Sequence, residues 1–359
     1  MIEKTSVKLP KVRNRYINRE LSWLQFNARV LQEANDPTTP LLERLRFLGI
    51  FSNNLDEFFM VRYATIKRIE EAGKTGRSVL GGISAKDLLE QITHTVIAQQ
   101  SYSLEILSEI QKELRKENIY IINETEVTPE QSEFISDFFV RYVSPAMMTI
   151  MIGELDELLD LRDSVAYLAV TMETSNENSE TGSINNYALI EIPTTIERFV
   201  VLPSDGDKQY VIILDDLIRH CLNSIFSGFK YDKIRAHMIK ITRDAELDID
   251  SDLSRSFIDK ISKSVKKRQS GEPVRFVYDK SIDPETLKFL LRKMDIDKTD
   301  SIIPGGRYHN RRDYMGFPSL GRRDLLYPAK DPLPIPGLSL RGNIFEKIRK
   351  KDYLLHSQY

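Results

Sequence analysis

The chain has 359 residues, 41% of them apolar and 29% charged, enough for two domains with separate cores. Its 51 basic and 53 acidic residues leave a formal net charge of −2, which gives no overall pull toward nucleic acid or an anionic membrane. A single cysteine, Cys221, excludes an intrachain disulfide and a cysteine zinc site, and no apolar run reaches the about 18–20 residues of a membrane span.

Residues 1–15 are basic, contain Pro10 and lack a hydrophobic signal core, so they read as an arm on a cytoplasmic protein. Asn18 is placed to cap a helix running to about Asn35, with Trp23, Phe26, Val30 and Leu31 on its apolar side. Pro37 and Pro40 end it. Two amphipathic patterns follow over 41–68. Leu41, Leu45, Leu48 and Phe51 mark one face, and Leu55, Phe58, Phe59 and Ile66 the other. Ser52-Asn53-Asn54 lies between them and predicts a helix break. Asn54 would be the N-cap of the second helix, with Glu57 completing a capping box and Asp56 suiting the helix dipole.

Residues 73–82 form a loop whose Gly-Lys-Thr lacks the strand and spacing of a phosphate-binding loop. Ser84 opens the longest helical pattern, to about Lys116. Its polar middle, His94–Ser103, is predicted to be exposed or packed on a partner. Residues 1–120 therefore read as an all-helical domain of three or four helices.

After Glu117 the pattern changes. Short strand-like runs occupy 119–122, 166–173, 187–192, 199–202, 210–214, 237–242 and 274–278, separated by turn residues. Thr128-Pro129-Glu130 starts a helix reaching Val143. Further helices are predicted at 215–226, at 253–269 behind an acidic stretch (244–252), and from Asp283-Pro284 onward. Residues 175–186 are polar and turn-rich, a hairpin loop. Strands and helices without strict alternation argue for an α+β domain over 121–320. Residues 321–342 are proline-rich and extended, and a helix begins at Ile344.

Three segments carry a family resemblance: INRELSWLQFN (Ile17–Asn27), LRFLGIFSNNLDEFFMVR (Leu45–Arg62) and SIIPGGRYHNRRD (Ser301–Asp313). They resemble, in family order, bacterial polyphosphate kinase of the long, phosphohistidine form, and the likeness covers the whole chain. The resemblance implies reversible transfer of the terminal phosphate of ATP to polyphosphate, with Mg2+, in a homo-oligomer without nucleic acid. Any membrane association would run through partners. It implies that Asn54 contacts ATP. It also implies that 321–359 is the truncated start of a phospholipase D-like catalytic domain, and that the chain is the N-terminal part of a longer enzyme. The family's catalytic histidines lie in His-x-Lys segments. The residues two places after His94, His220, His237, His309 and His356 are Val96, Leu222, Ile239, Arg311 and Gln358. No catalytic histidine or magnesium ligand is therefore carried over.

Two readings stay open for Gly305–Arg312. Arg307, Arg311 and Arg312 suit planar grips on phosphate, beside glycines that permit close approach. Equally, the segment suits a tight interdomain turn whose arginines bind carboxylates. Arg44, Arg46 and Arg62 have a similar choice between a nucleotide and Glu43 or Glu57. His220 and His237 read as core-edge residues, and Cys221 as a buried small hydrophobe. Two rival functions remain. One is an oligomerisation module without chemistry. The other is an RNA-binding module, disfavoured by the charge balance and the lack of aromatic–glycine motifs.

Overall fold

The structure, a computed structural model, describes residues 17–71, 83–153, 161–162, 165–175, 183–243, 273–296, 301–330, 335 and 343–354. The predicted arm, the 73–82 loop, the acidic stretch and the 253–269 helix lie outside the described residues.

Helix α1 (Arg19–Asn35) starts where Asn18 accepts from the backbone N–H groups of Glu20 and Leu21. It buries Leu24, Asn27, Leu31 and Ala34. Phe26, predicted on this face, is 51% exposed instead. Helix α2 (Leu41–Phe58) runs unbroken through Ser52-Asn53-Asn54 and passes into a π-helical turn, Phe59–Tyr63, then α3 (Ala64–Glu71). The expected break and the N-cap role of Asn54 are therefore corrected. The irregularity comes five residues later. The wider π turn rotates the chain so that Phe58, Phe59, Tyr63 and Ile66 all reach the core. Helix α4 (Ala85–Lys116) begins at the predicted cap, Ser84, which accepts from Asp87 N–H. Its apolar positions close the first core against α1–α3.

The α+β part follows. Strand β1 is Ile119–Ile122, and α5 (Pro129–Phe138) carries a full Thr128/Gln131 capping box before a π turn to Val143. Next come β2 (Met148–Ile152), β3 (Ala166–Ser175), β4 (Ser183–Glu191), β5 (Phe199–Asp205) and β6 (Lys208–Ile213). Helices α6 (Leu214–His220) and α7 (Leu222–Ile225) lead to β7 (Lys233–Arg243) and β8 (Pro273–Asp279). Helix α8 (Pro284–Lys293), β9 (Ser301–Gly305) and α9 (Ile344–Lys350) complete the order.

One sheet has the order β1-β6-β5, with β1 parallel to β6; the other has the order β2-β4-β3-β7-β8-β9, with β8 and β9 parallel. The division of the chain predicted at 120/121 falls inside β1. Strand β3 is buried on both faces: Leu168, Val170 and Met172 join one core, Tyr167 and Ala169 the other. Two strands were not predicted. In β2, Met148, Thr149 and Met151 are exposed, so no clean alternation marks it. In β9, Pro304 and Gly305 read as a turn. Proline is tolerated there because β9 pairs on one side only, as an edge strand. Among the described residues no helix is long and apolar enough to cross a membrane.

Candidate functional site

Asn54 sits inside α2, half-buried. Its Nδ2 donates to Asn27 Oδ1 at 3.1 Å, and Asn27 Nδ2 donates to the Phe51 carbonyl at 3.2 Å. One turn further along the same α1–α2 seam, Trp23 stacks on Phe58 with ring centroids 4.8 Å apart. The Arg62 guanidinium lies 5.6 Å from the Trp23 ring and donates to Glu20 at 3.1 Å. Arg46 pairs with Glu43 at 2.9 Å. Buried Arg44 holds the Ala34 carbonyl and Glu113. These three arginines are thus engaged by protein groups.

Asp56, two residues on, is buried. Lys240 Nζ on β7 lies 2.5 Å from its Oδ2, and Arg275 Nη1 on β8 3.0 Å from its Oδ1. Burial pushes the Asp56 carboxyl up. Lys240 and Arg275 outweigh that and hold it below the ordinary value of 3.8. Strand alternation puts both cations on one side of the sheet. Thr242 pairs with Arg275 and Lys240 with Val277, while Ile239, Ile241 and Phe276 face the opposite core. Arg275 also lies over the Phe59 ring at 4.6 Å.

The Gly305–Asp313 segment is stitched to α4, α6 and β7 and to the loops that carry Glu124 and Arg198. Arg307 binds Glu124 and Asp216, and the Tyr308 hydroxyl donates to Asp216 at 2.5 Å. His309 Nε2 is 3.0 Å from the Met238 carbonyl, which only accepts, so Nε2 carries the proton. Burial pushes His309 down to about 3. Its ring fills the space a Cβ on Gly305 would need, 2.6 Å away. Asn310 donates to Asp313 at 2.8 Å and accepts from Lys240 at 3.2 Å. Arg311, also buried, donates to Ser103 Oγ on α4, and burial lowers it to about 10. Of the polar middle of α4, Ser103 is buried by this packing, Gln99 donates to the Leu24 carbonyl on α1, and His94 and Ser101 are exposed. Asp313 lies 2.9 Å from Arg198 Nε.

Of the three arginines predicted as phosphate contacts, Arg307 and Arg311 are held by Glu124, Asp216 and Ser103. Arg312 is half-buried and lines a cleft of about 140 Å³ with Thr194, Arg198, Asn310 and Asp313. The turn that carries it packs on α2, where a Cβ on Gly49 would stand 3.1 Å from the Arg312 carbonyl oxygen.

Of the described histidines, His237 and His309 both neighbour Asp279. His94 is exposed on α4, His220 Nε2 meets Ser132 Oγ at 2.8 Å, and His237 is half-buried. Burial, with Arg219 adding to it, lowers His237. Cys221 is buried, its thiol pushed up to about 11. Among the described residues no three or more His, Cys, Asp or Glu groups gather as a metal site.

Sequence reasoning did not connect Asp56, Lys240, Arg275 and Asn27. A signal existed for Lys240 and Arg275: each is a cation in an otherwise apolar strand run, where burial demands a partner. Asp56 and Asn27 stand among other polar residues and carried no such mark.

A family model of the polyphosphate kinase N-terminal domain matches residues 16–122, and one of the polyphosphate kinase middle domain matches 130–317. The chain belongs to the polyphosphate kinase family. The polyphosphate kinase of Vibrio parahaemolyticus is 39% identical over 353 residues, covering 96% of this chain and 49% of the relative. That of Escherichia coli is 38% identical over 360 residues, covering 96% and 50%. The crystal structure of polyphosphate kinase from Porphyromonas gingivalis superposes with a TM-score of 0.71 at 30% identity, covering 95% of this chain and 47% of that one. The chain thus spans about half the length of the relatives it matches. It shares with them a helical N-terminal domain and an α+β middle domain.

Proposed function

We propose that this chain is the nucleotide-contacting and assembly part of an enzyme that reversibly transfers the terminal phosphate of ATP to polyphosphate. The observation that carries this reading is the placement of Asn54. It lies mid-helix with its amide nitrogen bound to Asn27, on a side chain that solvent still reaches. Arg312, half-buried beside a cleft that Arg198 also lines, is the phosphate contact this reading favours among the three predicted arginines. Magnesium would arrive with the nucleotide, and the phosphohistidine step would be carried outside 17–354. Residues 321–359 would lead toward that catalytic part, with the helical and α+β domains dividing near 120. A cytoplasmic location fits these substrates.

Calorimetric titration of the chain with Mg·ATP tests the reading. Saturable binding that Asn54→Leu weakens at least tenfold supports it. Absence of binding, or binding indifferent to Asn54→Leu, defeats it.

One observation favours self-association within this role. Strand β2 is a sheet edge with Met148 and Met151 exposed, and Val140 and Tyr142 just before it are 68% and 57% exposed. Sedimentation at micromolar concentration should show a dimer or larger species; a monomer throughout would remove the assembly part of the proposal.

A further inference from the structure

Asn27 is fully buried in α1. Its Nδ2 donates to the carbonyl oxygen of Phe51. A carbonyl oxygen has no proton to give, so this bond settles which end of the Asn27 amide is nitrogen. Oδ1 of Asn27 then faces α2, where it receives Nδ2 of Asn54. The second amide is fixed by the first. Asn54 has its nitrogen turned toward α1, and its Oδ1 is the end left over. No hydrogen bond to that oxygen occurs among the described residues. A loose asparagine flips to read donor or acceptor alike, whereas one held through a buried relay commits its oxygen outward. The second N–H of Asn54 remains, but nothing orients it toward a ligand in preference to the oxygen.

We infer that Asn27 is a positioning residue, and that it sets Asn54 to read a hydrogen-bond donor on the nucleotide. The inference rests on the reading that Asn54 contacts ATP. Two groups on ATP are neutral donors: the 6-amino group of the base and the ribose hydroxyls. Phosphate oxygens are acceptors and do not fit. Asn54 is thus a selector for the nucleoside end of the substrate, and the phosphates fall to cationic groups elsewhere. The hydroxyl and amine sources share one chemistry and are separated by choice of analogue.

The test titrates the whole chain with ATP, inosine triphosphate, 2′-deoxy-ATP and 3′-deoxy-ATP. Leaving a committed acceptor unpaired weakens binding about tenfold. The wild type should therefore bind one analogue about tenfold less well than ATP: inosine triphosphate if the base amine is read, a deoxynucleotide if the ribose is. Asn27→Ala frees the Asn54 amide, and the preference should fall below about threefold. Asn27→Asp keeps an acceptor for Asn54 Nδ2 and should keep the preference. Melting temperatures are recorded for both. If Asn27→Ala does not fold, Asn54→Asp, which offers only acceptors, should retain the preference, and Asn54→Leu should abolish it. Equal binding of all four nucleotides by the wild type overturns the inference alone. So does an unchanged preference in Asn27→Ala, or in Asn54→Leu when that variant is the one tested. Failure to bind any nucleotide overturns the reading of Asn54 as a nucleotide contact, and the inference with it.

Discussion

Lys240 Nζ lies 2.5 Å from Asp56 Oδ2, a contact that joins the six-stranded sheet to the second helix across 184 positions of sequence. Both side chains are nearly inaccessible, at 2% and 6%. Arg275 supplies a second cation to the same carboxylate, so the cluster carries two positive groups on one negative. That imbalance ranks the variants. Asp56→Asn strands two buried cations and should cost about 3–5 kcal/mol. Lys240→Met leaves a one-to-one pair with Arg275 and should cost less, about 1–3 kcal/mol. Urea unfolding of the two variants checks the order. Because the folded Asp56 value lies below 3.8, its contribution is complete above that pH and is lost as pH falls through the folded value. The gap between wild type and Asp56→Asn should therefore narrow in acid.

His309 also costs stability in acid, but from a different cause and at higher pH. Burial holds it neutral down to about 3, whereas an unfolded histidine titrates at 6.5. Between those values the unfolded chain binds a proton that the folded chain refuses, so stability falls as pH drops below 6.5. By pH 5 this one group should remove about 2 kcal/mol relative to pH 7.5. His309→Gln keeps a donor for the Met238 carbonyl and should flatten that part of the profile. An identical slope in wild type and variant, measured by urea unfolding at several pH values, would assign the slope to other groups.

Gly49 lies inside α2, where alanine ordinarily stabilises a helix by about 1 kcal/mol. Here the added Cβ would stand 2.7 Å from Met315 Cγ and 2.8 Å from Met315 N. The backbone contact cannot be relieved by a side-chain rotation, so the turn Arg311–Gly316 has to move. Gly49→Ala should destabilise by about 1–3 kcal/mol, a reversal of the usual sign, and should weaken Mg·ATP binding if Arg312 contributes to it. Calorimetric melting and nucleotide titration of the same sample read both effects.

The local signals in the sequence were read well where a side chain talks to its own backbone. Asn18, Ser84, Thr128 and Asp283 each cap the helix expected of them. The reading failed where a polar residue answers a distant one. Ser52-Asn53-Asn54 looks like a cap because caps are polar. In the structure Asn54 is polar because Asn27 waits on α1, and Asp56 because two cations wait on the sheet. The same ambiguity divided the arginines of the Gly305–Asp313 segment. Their spacing suits phosphate and carboxylate equally, and only the arrival of Asp216 and Glu124 beside Arg307 distinguishes the two.

The long reach of Asp56 also bears on how the chain is made. Translation delivers α1–α4 first, with the carboxylate of Asp56 already in place and neither Lys240 nor Arg275 yet synthesised. Strand β1 emerges next, and its parallel partner, Gln209–Ile212, follows much later. A nascent chain ending before β7 would have to bury an unpaired acid to close its first core, so that core should stay ajar around α2 until the sheet arrives. Ribosome-bound chains halted ahead of Lys240 should then be nicked by protease within α2, and chains halted after Asp279 should resist it.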